Sequence, residues 1–221
     1  RTGDGYSVWG RLPWASNLYP DAVVVTTIRD EQDRPAVVGF PLDAAGVQVH
    51  ASPDLMALQG TASSSLSLDG MILSDAQVLS QDFRRLLARV RPVFSVLQSA
   101  FCIGLAAECH HQARQNLGGV NDTYANEVMA AGRQLSTLRS QLHEAARSIG
   151  SDRLPAPRHL LQLRLEAGQL AGVMAGLEIK TTGGRGFTLT SDANRRYREA
   201  AFIALQSPSE AQLRTELTVT S

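Results

Sequence analysis

The spacing of apolar and polar residues divides this chain into two parts. Up to about residue 80, apolar residues alternate with polar ones or form short β-branched runs, as in Val23–Ile28 and Ala36–Phe40. Such segments are typical of strands. From about residue 82, apolar residues recur every three or four positions, which predicts helices. The clearest case is the series Leu160, Leu163, Ala167, Leu170, Met174 and Leu177.

The first part is predicted to be antiparallel β structure. Two further segments, Val47–His50 and Leu66–Asp69, alternate apolar with polar residues. Turn residues separate the segments at 29–35, at 43–46 and at Asp69-Gly70. Short strands at this spacing favour a small barrel or sandwich. We therefore predict an antiparallel β-barrel or sandwich domain over residues 1–85.

The second part is predicted to be an all-α bundle of up-and-down type over residues 86–221. The pattern places one helix from Pro92 towards Gln115 and another from Ala125 to Ile149. The loop Leu154–Pro157 begins a third, because proline suits a first helical turn. Two shorter helices are expected over 192–205 and 209–217. The predicted fold class is thus α+β, with the break near residues 80–90.

Length and charge limit the classes of partner. With 221 residues the chain is long enough to bury a substantial core. Its 21 basic and 21 acidic residues give no net charge, so neither nucleic acid nor an anionic membrane is expected as a partner. We identify no apolar run of the length that a membrane span needs and no signal peptide.

The two cysteines indicate the redox environment. Cys102 and Cys109 are seven residues apart in a predicted helix. Two helical turns separate them by about 10 Å, which is too far for a disulfide. We expect reduced core thiols and a cytoplasmic location. His110 and His111 have no acidic residue or cysteine at metal-ligand spacing, so no metal site is expected.

Three segments carry residues that suit a bound ligand. An aromatic residue beside a hydroxyl, as in Trp14-Ala15-Ser16, offers a stacking face with a hydrogen-bonding group, although a buried tryptophan near a polar turn has the same pattern. Arg114-Gln115-Asn116-Leu117-Gly118 combines an arginine fork suited to phosphate with a glycine that could also simply end a helix. Gly183-Gly184-Arg185-Gly186-Phe187 allows close approach of backbone N–H groups, and is also a common helix C-terminus. The hydroxyl-rich stretch Gly60–Gly70 is a fourth, weaker candidate.

Taken in order along the chain, these segments resemble the acyl-CoA dehydrogenase superfamily. The resemblance extends through the helix containing Arg198-Glu199-Ala200 to the turn Gln206-Ser207-Pro208-Ser209. It implies a middle β domain over 1–85, followed by a C-terminal helical bundle over 86–221. The N-terminal helical domain of the family has no counterpart in these residues, and we expect a piece of a longer polypeptide or a processed chain.

The resemblance also implies roles for individual residues. It places Trp14 against the flavin ring and the Ser16 hydroxyl at its N5/O4 edge. The flavin pyrophosphate of a neighbouring subunit would be contacted by residues of the helical part, and the flavin adenosine by Ser209. The implied pyrophosphate contacts are Arg114, Gly118, Lys180, Gly183, Gly184 and Gly186. The cofactor is expected to be FAD, with FMN possible.

The catalytic base of the family is missing at its usual place. Counting from Arg198-Glu199-Ala200, the position of the glutamate base falls on Ser207, which cannot act as a base without a helper. The base is therefore unknown. Carboxylates on other predicted helices are candidates for a relocated base: Glu108, Glu127, Glu166 and Glu178.

Two activities and one non-catalytic role stay open. The first is a flavin-dependent oxidoreductase acting on a CH–CH bond of an acyl-CoA-like substrate. The second is a reduced-flavin-dependent monooxygenase of the same fold, which the serine at position 207 favours. The third is a partner subunit or fragment without flavin. A homodimer or homotetramer is expected, with the apolar seam 160–177 packed in it.

Overall fold

A computed structural model describes residues 5–219. The chain is α+β and separates into two compact units, which divide between Arg89 and Val90. The first unit contains the strands and the second contains most of the helical residues.

The first unit consists of antiparallel strands of 3 to 11 residues. Within the described residues they form two three-stranded sheets, with orders β1-β5-β4 and β2-β3-β6. Both β1 and β2 are therefore edge strands of their sheets. The strands are β1 (Gly5–Ala15), β2 (Val23–Arg29), β3 (Pro35–Pro41), β4 (Val47–Val49), β5 (Ser64–Ser74) and β6 (Val78–Ser80).

Both sheets of the first unit contribute to one apolar core. The alternation along β5 sends Leu66 and Leu73 to the interior, and Val38 and Phe40 on β3 are equally inaccessible to solvent. The alternation that predicted β5 over Leu66–Leu68 is the period with which its side chains alternate between core and solvent. β3 was predicted from a β-branched run, and its consecutive residues Ala36, Val37 and Val38 are all buried.

The predicted turn at Asp69-Gly70 is wrong, because both residues lie inside β5. Val8 pairs with Met71 and Gly10 pairs with Leu68, so two residues of β5 stand opposite Trp9 alone. This is a β-bulge, and Gly70 has a φ of 61°, which glycine adopts without steric cost. The pair Asp69-Gly70 predicted a chain reversal from the sequence. In the structure, Gly70 instead accommodates one extra residue of β5 opposite Trp9.

The helices follow in chain order, with bounds close to those predicted except for the first. They are α1 (Phe83–Gln115), α2 (Ala125–Ser148), α3 (Pro157–Thr182), α4 (Asp192–Ile203) and α5 (Glu210–Val219). α1 begins nine residues before the predicted Pro92, which lies inside it. The carboxylate of Asp82 accepts the backbone N–H of Arg85 at 2.9 Å and so caps the earlier start.

The core of the second unit is formed mainly by α1, α2 and α3. The prediction of reduced core cysteines is confirmed: Cys102 and Cys109 are free and fully buried. On α3, the seam that predicted the helix is buried from Leu160 to Leu177 in the core of this unit. The prediction that this seam packs against another subunit is therefore wrong, because its side chains are already covered by α1 and α2 of the same chain. A smaller cluster joins α3 to α5 through Leu161, Leu165, Leu213 and Leu217.

One of the described helices, α1, is long and apolar enough to cross a membrane by length and composition. Its best 18-residue window has a mean hydropathy of 1.5, and 39% of that window is buried within the structure. Core helices of globular proteins meet the same criterion. The burial of Cys102, Ala106 and Cys109 on this helix gives it such a core role here.

Candidate functional site

In the first unit, the Trp14 and Ser16 candidates lie at the end of β1 beside the hydroxyl-rich stretch. The indole of Trp14 is half exposed. The Ser16 hydroxyl is 2.7 Å from the hydroxyl of buried Ser63, which is 2.7 Å from the hydroxyl of Thr61. Backbone bonds from Asn17 to Thr61 and from Leu18 to Ala62 hold the two segments together. An exposed aromatic face thus stands two residues from a chain of three hydroxyls.

The β1 end also borders a cleft of the first unit. The cleft measures about 850 Å³ and is lined by β1 from Tyr6 to Trp14 and by residues 26–31. Trp9 and Trp14 both line it, and so does Arg11, whose guanidinium donates to the hydroxyl of Ser65. The cleft also contains Arg29, Asp30 and Glu31, so its charges are mixed, and its two indoles suit a planar group.

In the second unit, the structure brings two predicted segments together. The end of α1 carries Arg114 and is followed by Gly118, and the end of α3 carries Lys180. Asn121 donates to the carbonyl oxygens of Asn116 and Thr181, both at 2.9 Å. The Asn116 side chain also donates to the Thr182 hydroxyl at 3.1 Å. These bonds fix the 114–118 segment against the start of the glycine turn.

Cations accumulate where these segments meet. Arg114, Lys180 and Arg185 are exposed, and none has a carboxylate partner within ion-pair distance among the residues described. Lys180 lies over the ring of Tyr124, 5.7 Å from its centroid. Burial and the positive charge of Arg114 lower the pKa of His110. The surface at this end of the unit is therefore suited to an anion.

The glycines of the 183–187 turn are required for different reasons. Gly183 has a φ of 68°, a conformation that other residues adopt at a cost. Gly186 is buried, and a Cβ there would lie 3.0 Å from the Cβ of Thr182. Gly184 has neither constraint, because its φ is not positive and a Cβ would meet nothing within 4 Å. The fold gives no reason for glycine at 184, whereas close approach of a ligand would.

The turn is also attached to the start of α4. The Ser191 hydroxyl donates to the carbonyl of Gly186 at 3.0 Å and accepts the backbone N–H of Asn194 at 3.1 Å. Ser191 is thus the N-cap of α4 and an anchor of the turn. The Asn194 side chain reaches the carbonyl of Phe187 at 3.4 Å.

Ser207 and Ser209 follow the other end of α4, whose 12 residues extend for about 18 Å. Ser207 is exposed, and its carbonyl accepts a bond of 2.8 Å from the buried side chain of Gln98. Ser209 begins α5: its hydroxyl accepts the N–H of Gln212, and its own N–H donates to the Gln212 side chain. The structure therefore gives Ser209 a helix-capping role.

Four carboxylates, which lie close in sequence to the base position or were proposed as a relocated base, already accept hydrogen bonds from other side chains. Glu210 accepts Arg214 and Gln169, and these bonds lower the pKa of its carboxyl. Glu108 accepts Gln112, and Glu166 accepts Gln162. Glu178 is buried and paired with Arg196. The remaining candidate, Glu127, is exposed in the first turn of α2.

Several residues of these sites were not identified from the sequence. Ser191 could have been, because a serine immediately before the start of a helical pattern, with Asp192 in the first turn, is an N-cap signal. Asn121 and Gln98 carried no such signal. Their roles depend on segments that are distant in the chain and adjacent in space.

Comparison with solved structures identifies the fold. An acyl-CoA dehydrogenase from Geobacillus kaustophilus superposes with a TM-score of 0.90 at 12% identity, over 100% of this chain and 62% of that one. The chain has the acyl-CoA dehydrogenase fold. Glutaryl-CoA dehydrogenase from Mycobacterium smegmatis gives a TM-score of 0.88 at 16% identity, over 99% and 58%. The family resemblance drawn from the sequence motifs is thereby confirmed at the level of the fold.

A third similar structure is FkbI for biosynthesis of the methoxymalonyl extender unit of the Fk520 polyketide. It has a TM-score of 0.78 at 20% identity, over 100% of this chain and 63% of that one. The chain thus spans about three fifths of the length of these acyl-CoA dehydrogenase-fold structures. No family model and no curated protein sequence matches it.

Proposed function

We propose that this chain is part of a flavin-dependent oxidoreductase that binds FAD and acts on an acyl-CoA-like small molecule. The observation that carries the proposal is the joining of two segments in the second unit. Asn116 and Asn121 attach the Arg114–Gly118 segment to the end of α3, immediately before the glycine turn. The result is a surface whose cations have no carboxylate partner within residues 5–219, together with one glycine that the fold itself does not require.

The second unit would bind the pyrophosphate of the flavin. Arg114 supplies a fork that matches phosphate oxygens, and Lys180 supplies a point charge. Gly184, open on its Cβ side, allows a phosphate to approach the backbone of the turn. Gly183, Gly186 and Gly118 shape the backbone around it, and FMN, with one phosphate, would use fewer of these contacts.

The first unit would bind the flavin ring. The half-exposed indole of Trp14 offers a stacking face, and the Ser16 hydroxyl can donate to a ring acceptor while it accepts from Ser63. In this proposal the pyrophosphate of a flavin bound by one subunit is contacted by Arg114 of a second copy, as the sequence resemblance implies. The protein would accordingly be a homodimer or homotetramer.

The chemistry itself belongs to the flavin, which when bound accepts a hydride or, once reduced, reacts with oxygen. The residues of this chain orient the ring and neutralise the phosphates. Proton abstraction from a thioester substrate would require a carboxylate close to it. At the position where the family resemblance locates that carboxylate, this chain has the exposed Ser207.

A reduced-flavin-dependent monooxygenase is the second candidate, and the geometry around Ser207 favours it. Glu210, the acidic residue closest in sequence, is held by Arg214 and Gln169 with a lowered carboxyl pKa. Such a carboxylate is a weak base. Oxygenation by a flavin does not depend on a carboxylate at this place, so the serine is compatible with it. A non-catalytic partner subunit is the third reading.

Activity assays with purified protein separate these readings. Acyl-CoA substrates with an artificial electron acceptor test for dehydrogenation, and reduced flavin with oxygen tests for product oxygenation. Dehydrogenation supports the first activity and implies a relocated base. Oxygenated product supports the second. Neither activity, together with no flavin binding, leaves the non-catalytic role.

A further inference from the structure

A buried ion pair connects α3 to α4 in the second unit. Glu178 on α3 is 1% exposed, and Arg196 on α4 is 8% exposed. The guanidinium donates to both carboxylate oxygens, with Nε 2.9 Å from Oε2 and the terminal nitrogen 2.5 Å from Oε1. This two-point geometry fixes the orientation of both side chains as well as their separation.

The pair belongs to a closed ring of contacts around the 183–187 turn. On α3, the Thr182 hydroxyl donates to the carbonyl of Glu178 at 2.7 Å, and the methyl of Thr182 lies under Gly186. On α4, Ser191 holds the carbonyl of Gly186 at 3.0 Å. Arg196 lies five residues after Ser191 and returns to Glu178. The turn is therefore tethered to α3 through Thr182 and to α4 through Ser191, and the ion pair joins these two helices.

The thiol of Cys109 on α1 adds a third helix to this cluster. Burial and the neighbouring Glu178 carboxylate raise the pKa of that thiol, so it stays protonated and uncharged. The carboxylate charge is thus balanced by Arg196. Substituting Arg196 alone would leave a buried, uncompensated charge.

Stability alone does not account for such a pair. Taking two charges out of water costs about as much as their attraction returns, and apolar residues of similar volume often stabilise equally well. An apolar pair lacks the two directed hydrogen bonds that fix the orientation of α3 relative to α4.

We infer that the Glu178–Arg196 pair is a positioning device for the 183–187 turn, fixing the backbone of the turn for an anionic ligand. That the ligand is the flavin pyrophosphate rests on the proposed function. The positioning role of the pair does not rest on the proposed function, so either claim can be disproved without the other.

The test compares three variants by amide hydrogen exchange. Glu178→Gln keeps the shape of the side chain and removes its charge. The double variant Glu178→Met/Arg196→Leu replaces the pair by apolar residues. Glu199→Gln is the matched control, because it removes the exposed Arg195–Glu199 pair on the same helix. Exchange is followed at the hydrogen-bonded amides of Gly183, Thr188, Ser191 and Asn194.

If the pair positions the turn, replacing it should increase amide exchange near the turn without lowering the global stability of the protein. The double variant should unfold at nearly the wild-type urea concentration, yet exchange at those four amides should be about tenfold faster or more, with α2 amides unchanged. Glu178→Gln should show the same local increase, and Glu199→Gln should show none. The inference is overturned if turn exchange in the double variant equals wild type, or if exchange rises uniformly across α2, α3 and α4.

FAD titration of the same variants examines the ligand separately. If wild type binds FAD, the double variant should bind it about tenfold more weakly, and Glu199→Gln should bind as wild type does. If wild type binds no FAD while the exchange result stands, the proposed function fails and the positioning role of the pair remains.

Discussion

The side-chain amide of Asn121 lies 2.9 Å from the carbonyl oxygen of Thr181, and it donates to the carbonyl of Asn116 at the same distance. One residue therefore satisfies the carbonyls at the ends of two helices, α1 and α3. Because the arginine of one segment and the lysine and glycines of the other are the candidate anion ligands, this contact brings them to one end of the unit.

Replacing Asn121 by alanine should weaken both the fold and the site. The carbonyls of Asn116 and Thr181 would lose their shared donor, and we expect a loss of about 1–3 kcal/mol in the free energy of unfolding. Urea denaturation measures it. Gln115→Ala is the control, because that exposed side chain bonds only to His111 among the described residues. Equal stability of both variants would show that the Asn121 contacts contribute little.

Gly184 and Gly186 should respond to alanine in opposite ways. At 186 a Cβ would be 3.0 Å from the Cβ of Thr182, so Gly186→Ala should cost about 1–3 kcal/mol of stability. At 184 a Cβ meets open space, so stability should change by less than about 0.5 kcal/mol.

The Gly184→Ala substitution should affect ligand binding and leave stability unchanged. A methyl group there would stand between a phosphate and the backbone, and FAD affinity should fall without a change in the midpoint of unfolding. Thermal unfolding and FAD titration of Gly184→Ala measure the two properties. Unchanged FAD affinity would remove Gly184 from the proposed site.

Ser207 and Ser209 should also differ. Ser209→Ala removes the hydroxyl that accepts the N–H of Gln212, and loss of this cap should lower stability by about 1 kcal/mol. Ser207→Ala leaves the carbonyl bond from Gln98 intact and should be neutral for stability. Chemical denaturation of the two variants side by side tests this. If Ser207→Ala is the more destabilising, the capping assignment is wrong.

The buried thiols predict a loss of stability at alkaline pH. Burial raises the pKa of Cys102 from 9.0 to about 11, so the folded chain retains this proton to higher pH than the unfolded chain does. The contribution to stability is complete below pH 9 and declines as the pH rises from there towards 11.

Unfolding free energies measured from about pH 8 to about pH 10.5 should therefore fall, and Cys102→Ala should have a shallower slope. Cys109→Ala is a parallel case, because burial and Glu178 raise that thiol pKa as well. The same slope in wild type and in both variants would show that other groups cause the pH dependence.

The periodic parts of the chain were predictable from sequence. The β-branched runs of β2 and β3, and the seam from Leu160 to Leu177, predicted strands and a helix at nearly their observed bounds. These signals are local, because each residue is placed by its neighbours in the chain. The early start of α1 was missed because Pro92 was taken as a beginning, whereas the carboxylate of Asp82 supplies the cap.

The candidate site was predictable only in part. Arg114 and the glycines were predicted because their residue types suit phosphate, and Lys180 because of the family resemblance. What joins them was not found: Asn121 reaches a carbonyl 60 residues away, and Glu178 pairs with a residue 18 positions later. In the sequence Glu178 was a candidate base on a helix. In the structure it is a buried partner of Arg196 with no access to a substrate.

The most direct test of the account is titration of the protein with FAD and with FMN, followed by flavin fluorescence and calorimetry. Arg114→Ala and Lys180→Ala are the test variants, and Arg133→Ala, an exposed arginine on α2, is the control. We predict saturable FAD binding that exceeds FMN binding, weakened about tenfold in each test variant and unchanged in the control. Binding of neither flavin, or equal affinity in all variants, would contradict the assignment of this surface to a flavin pyrophosphate.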